Sequence, residues 1–129
     1  DTMRTTLDLA KELNTDWANF YCAMAYPGSP LHADTASKTP EVLPEANEEF
    51  VGSPPWIGYS QHAYETFNLP TEALQREEVL KFRDEAFVEY FTSEPYVNRM
   101  TDKYGKAFTK ELDHMLSFNL KRKTLSTML

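Results

Sequence analysis

The groups best suited to chemistry fall in two short runs. In Tyr26-Pro27-Gly28-Ser29-Pro30, a glycine lets a ligand come close to the backbone while flanking prolines hold the loop rigid, so on its residues alone the run suits a substrate- or cofactor-lining segment and a plain turn equally well. Tyr59, Gln61, His62 and Tyr64 bring rings and hydrogen-bonding groups together within six residues, as a cleft that orients a polar substrate does. Packing of a loop onto helices explains the same aromatics. His62 is the one general-acid candidate, and packing is the favoured reading of its run. Elsewhere reactive groups are sparse. His32, His62 and His114 show no short ligand spacing. Glu111 and His114, at i and i+3, match half of the Glu-x-x-His pattern of di-iron bundles, but no second copy exists and an exposed pair is the simpler reading. Neither Gly-x-Ser-x-Gly nor a glycine-rich phosphate loop occurs. No catalytic residue and no metal ligand is therefore assigned.

Composition sets the frame for these runs. With 129 residues, 41% hydrophobic and 13% aromatic, the chain fits one domain able to build a core. A net charge of −7 makes nucleic acid a poor partner. That charge is uneven: residues 1–70 carry 3 basic and 10 acidic groups, residues 71–129 carry 10 of each. Lys121-Arg122-Lys123 reads as basic residues complementing the end of a helix dipole. A single cysteine, Cys22, excludes an intrachain disulfide and suits a reducing, cytoplasmic setting. No stretch approaches the roughly 20 apolar residues that cross a bilayer, and the start lacks a signal peptide's basic-then-apolar pattern.

The elements that must position the two runs follow from periodicity. Met3, Thr6, Leu9/Ala10 and Leu13 predict an amphipathic helix over residues 2–13, with Asp1 or Thr2 as cap and Asn14-Thr15-Asp16 ending it. Trp17 to Ala25 is nearly all apolar and predicts a strand buried on both faces. Leu31 to Asn68 contains prolines and glycines without sustained period, and predicts a long ordered excursion anchored by Trp56, Ile57, Tyr59, Tyr64 and Phe67. Three helices then follow. The first, opened by Thr71 or Gln75, uses Val79, Phe82, Ala86, Phe87, Tyr90 and Phe91; the second, capped by Ser93, uses Val97, Met100 and Tyr104 and stops at Gly105. The last uses Phe108, Leu112, Met115/Leu116 and Leu120.

Three blocks of the chain carry a resemblance: residues 1–10 with Leu13, Trp17–Tyr21 and Ala25–Leu31; Gly58–Glu65; and Leu69-Pro70-Thr71 with Val79–Phe87. Together they resemble the C-terminal region of radical S-adenosylmethionine (SAM) proteins that carry a cobalamin (B12)-binding domain. The resemblance implies an α+β, predominantly helical fold. Residues 1–30 would be the last helix and strand of a partial α/β barrel, 31–70 an irregular connection and 71–129 a C-terminal helical cap. It implies that Tyr26, Pro27, Gly28, Ser29, Pro30, Gln61, His62 and Tyr64 line a substrate or cofactor mouth in an intact enzyme. That enzyme would hold a 4Fe-4S cluster and SAM, with or without cobalamin in use, and act on a small molecule through a 5′-deoxyadenosyl radical. The family's Cys-x-x-x-Cys-x-x-Cys loop is absent here, so this chain alone is expected to hold no cofactor and to lack activity. Its expected partner is the remainder of its own barrel. The alternative is a free-standing helical interaction domain that self-associates through an exposed apolar strand.

Overall fold

Helices form where apolar residues recur at three and four and where a residue at each end can stop the pattern. The computed structural model of the chain describes residues 1–44 and 56–126. Among them are α1 (Thr2–Leu13), α2 (Pro30–Lys38), a 3-10 turn (Pro40–Val42), α3 (Arg76–Phe91), α4 (Glu94–Tyr104), α5 (Lys106–Ser117) and the short α6 (Lys123–Ser126), and no strand. No helix among them is long and apolar enough to cross a membrane. The part of the excursion at residues 45–55 lies outside the described residues.

The absence of strands overturns the α+β reading. Among the described residues there is no helix–strand unit and no end of a partial α/β barrel; residues 17–25 form neither helix nor strand. Their exposure explains why. Trp17, Asn19, Tyr21 and Ala23 are exposed while Ala18, Phe20, Cys22 and Met24 turn inward, so one face meets the protein and the other does not. The composition mimics a doubly buried strand because Trp17 and Tyr21 are large rings held at the surface.

The chain packs as two compact units, one made of Asp1–Phe20 and Arg83–Asn119, the other of Tyr21–Phe82 and Leu120–Leu129. In the first, here the helical unit, Leu7 of α1 is only 1% exposed while Leu9 and Leu13 are exposed. The inward stripe of α1 is thus Met3, Leu7, Ala10, Lys11 and Asn14, rotated from the one expected. Asn14 ends the helix in a left-handed conformation, φ 46°, which its short polar side chain tolerates. The core is aromatic: Tyr90, Phe91 and Tyr96 stack within 5.2 Å of one another, centroid to centroid, and Trp17 lies 4.8 Å from Phe91. Ser93 stands at the cap position of α4 with Pro95 in its first turn, and Gly105 (φ 74°) separates α4 from α5. Helix α5 ends at Ser117, leaving Leu120 beyond it.

The second, the loop unit, holds α2, the N-terminal half of α3 and α6. Ser29 caps α2, its Oγ accepting the His32 N–H at 3.1 Å, and Pro30 occupies the first turn. Gln75 opens α3 and the Glu78 side chain accepts its N–H at 2.8 Å, half of a capping box. Thr71 instead folds a local turn, accepting the Leu74 N–H at 2.9 Å. The basic run does not end a helix as expected: Lys121 and Arg122 precede α6 and Lys123 begins it.

Candidate functional site

An extended segment without a ladder still has backbone groups to satisfy, and side chains satisfy them here. In the helical unit, Tyr90 Oη donates to the Thr15 carbonyl at 2.7 Å, Tyr96 Oη to the Asp16 carbonyl at 3.0 Å and Arg83 Nε to the Phe20 carbonyl at 2.7 Å. In the loop unit, Gln61 Oε1 accepts the Cys22 N–H at 3.0 Å and Gln61 Nε2 donates to the Cys22 carbonyl at 2.9 Å. One amide side chain thereby imitates a neighbouring strand. The Leu69 N–H adds a bond to the Ala23 carbonyl at 2.9 Å.

These contacts fix the surroundings of the expected site residues. Tyr26 is exposed, its ring 5.9 Å from that of Tyr59, and its carbonyl accepts the Ser29 N–H and hydroxyl at 3.0 and 2.7 Å. Gly28, at φ 86°, makes the reversal, and a side chain there would meet nothing within 4 Å. Pro27 and Pro30 flank it, so Tyr26–Pro30 is a rigid turn leading into α2. Gln61 is committed to Cys22. His62 is exposed and meets the Tyr21 ring edge-on at 6.3 Å. Tyr64 is exposed and lines an open depression of about 440 Å³ with Leu120, Lys121, Arg122, Leu125 and Ser126. The turn and the Gln61–His62–Tyr64 run approach one another through Cys22 and through Tyr26 and Tyr59.

Two clusters escaped the sequence reading. One surrounds Asp16, whose carboxylate accepts Arg99 Nη1 at 2.6 Å, Lys103 Nζ at 2.5 Å and Tyr104 Oη at 2.9 Å. Hydrogen bonds from Lys103, then Arg99 and Tyr104, hold its pKa well below the usual carboxylate range, and the hydrogen bond to Asp16, then that with Tyr104, raises the pKa of Lys103. Glu89 is lowered in the same way, by Lys11 and Arg4 at 2.8 and 2.9 Å. The other surrounds Arg122, 2% exposed, which donates from Nη1 to the Ala63 carbonyl at 3.0 Å and to Thr66 Oγ1 at 2.8 Å. An arginine between two lysines was its only trace in the sequence. Glu111 and His114 are both exposed, and His114 lies 4.9 Å from the Phe118 ring.

Among the described residues no group of three or more His, Cys, Asp or Glu is placed to hold a metal ion. A 4Fe-4S cluster of the implied kind needs three cysteines, and the chain has one, buried and gripped at its backbone by Gln61. The residues present do not fit a cluster. Compared with known protein families, characterised proteins and solved structures, the chain matches none.

Proposed function

We propose that this chain is the C-terminal portion of a radical SAM enzyme of the cobalamin-binding type, bordering the substrate mouth and inactive alone. The observation that carries the reading is the meeting of separate sequence blocks. Tyr21, Ala25–Leu31, Gly58–Glu65 and Leu69–Thr71 bear the resemblance, and they meet where the Tyr21 ring lies against His62 and the Tyr26 ring against Tyr59, with the intervening Cys22 and Ala23 bonded to Gln61 and Leu69. Residues that share a surface share a job more readily than residues scattered over one. The role is that of a wall: the Tyr26–Pro30 turn presents a rigid backbone and an exposed ring, and Gln61 holds the chain before it in place. Radical chemistry belongs to the remainder of the enzyme, which supplies cluster, SAM and barrel and packs beside this region. A single cysteine fits the reducing cytoplasm in which such enzymes work.

The test is the longer polypeptide. Its coding sequence should contain Cys-x-x-x-Cys-x-x-Cys upstream of Asp1, and the anaerobically reconstituted protein should cleave SAM reductively. Gly28→Val in that protein should raise KM for the substrate while leaving the cluster absorption unchanged. An upstream sequence with no such motif contradicts the reading and favours a self-associating helical module, which light scattering on the 129-residue chain would reveal as a dimer.

A further inference from the structure

The last described segment of the chain is held in an unusual way. From Phe118 to Ser126 no apolar residue is buried; Phe118 is 66% exposed and Leu120 is 36% exposed. The one buried side chain is that of Arg122. Among the contacts that attach the segment is a row of directional bonds to residues 63–66: Arg122 to the Ala63 carbonyl and Thr66 Oγ1, the Lys123 N–H to the Tyr64 carbonyl at 2.8 Å, and Thr124 Oγ1 to the Thr66 carbonyl at 3.2 Å. Beside these bonds lies the open depression under Tyr64, Leu120 and Leu125, where apolar packing is incomplete.

The residues it grips are themselves a relay. Thr66 is fully buried and its hydroxyl faces the Ser60 and Ala63 carbonyls at 2.6 and 2.7 Å, closing the loop that carries Gln61 and His62. Gln61 in turn holds both backbone groups of Cys22. Segments with little buried apolar area open at low free-energy cost, and each bond broken here has water as a ready replacement.

We infer that residues 120–126 form a strap, closed by Arg122 on Thr66 and Ala63, whose opening loosens the Ser60–Phe67 loop and frees Cys22 while the helices stay folded. The strap is thus a conformational control on the candidate site, and Arg122 is its positioning residue. The inference stands on these contacts alone and does not require the enzyme reading.

Two measurements on the 129-residue chain test it. In the unaltered protein under native conditions, the amides of Lys123, Thr66, Phe67 and Cys22 should exchange with solvent together, at least ~10-fold faster than those of Val79–Phe91. In Arg122→Met, the reaction of Cys22 with a thiol reagent should accelerate by ~10-fold or more, with helical circular dichroism preserved and with Arg122→Lys recovering part of the protection. Exchange of the four amides at the rate of Val79–Phe91 would overturn the strap, and this holds even if Arg122→Met fails to fold. So would a folded Arg122→Met protein whose Cys22 reacts at the unaltered rate.

Discussion

The two units hold extended chain by different means. In the helical unit, residues 15–20 lie against a dense aromatic cluster, and their carbonyls take bonds from Tyr90, Tyr96 and Arg83, side chains fixed by that packing. In the loop unit, residues 21–25 depend on Gln61 and Leu69, which sit on irregular chain that is itself fastened by Thr66 and Arg122. Apolar burial is non-directional and tolerates adjustment, whereas a chain of hydrogen bonds fails at its weakest link. The helical unit should therefore lose stability in proportion to removed volume, and the loop unit in response to single polar atoms.

Tyr90→Ala should have the largest effect, in the helical unit. It removes a fully buried ring and the donor to Thr15, and should cost about 3–5 kcal/mol in urea denaturation. Tyr90→Phe, which keeps the ring, should cost only about 0.5–1.5 kcal/mol. Gly58→Ala probes the loop unit. Gly58 stands at φ 100°, and an added Cβ would come within 2.9 Å of the Pro44 side chain and 3.2 Å of Phe67 Cβ. Steric crowding and left-handed strain together should cost about 1–3 kcal/mol, read as a lowered melting temperature. Gln61→Ala, with its two bonds to Cys22, should cost about 1–3 kcal/mol and raise the exchange rate of the Cys22 amide.

The smallest effect concerns pH. Asp16 and Glu89 have pKa values lowered in the folded state, so the stability they lend is complete above the ordinary carboxylate value of about 4 and is lost as pH falls through their folded values. Both are substantially exposed, which screens the effect. Melting temperatures of Asp16→Asn and unaltered protein should differ modestly at neutral pH and converge in strong acid. A difference that grows as pH falls would reverse the assigned sign.

Much of the helical half was legible. The repeats at Val79, Ala86, Tyr90 and Phe91, the cap position at Ser93 and the stop at Gly105 are local signals, and local signals survive folding. The stripe of α1 misled because Leu9 and Leu13 follow a helical period as well as Leu7 does, and only tertiary packing chooses between them. The region from Trp17 to Ala25 misled for a deeper reason. Apolar composition reports extended chain, but it cannot report whether a ladder or dispersed side chains will satisfy the backbone. Tyr90, Tyr96, Arg83 and Gln61 stand 39 to 80 residues from their targets or between, with no shared period to announce them. For the same reason nothing in the sequence announces the bonds by which Gln61 braces Cys22. Helix α2 went unseen because nine residues starting at proline carry too few apolar positions to show a period.

Residues 17–25 are held by side chains in place of a sheet. Nuclear Overhauser spectra of the isotopically labelled chain test it directly. The Gln61 side-chain amide protons should show contacts to Cys22, and no cross-strand Hα–Hα contacts should involve residues 17–25. A regular series of such Hα–Hα contacts along this segment, persisting in Gln61→Ala, would contradict it.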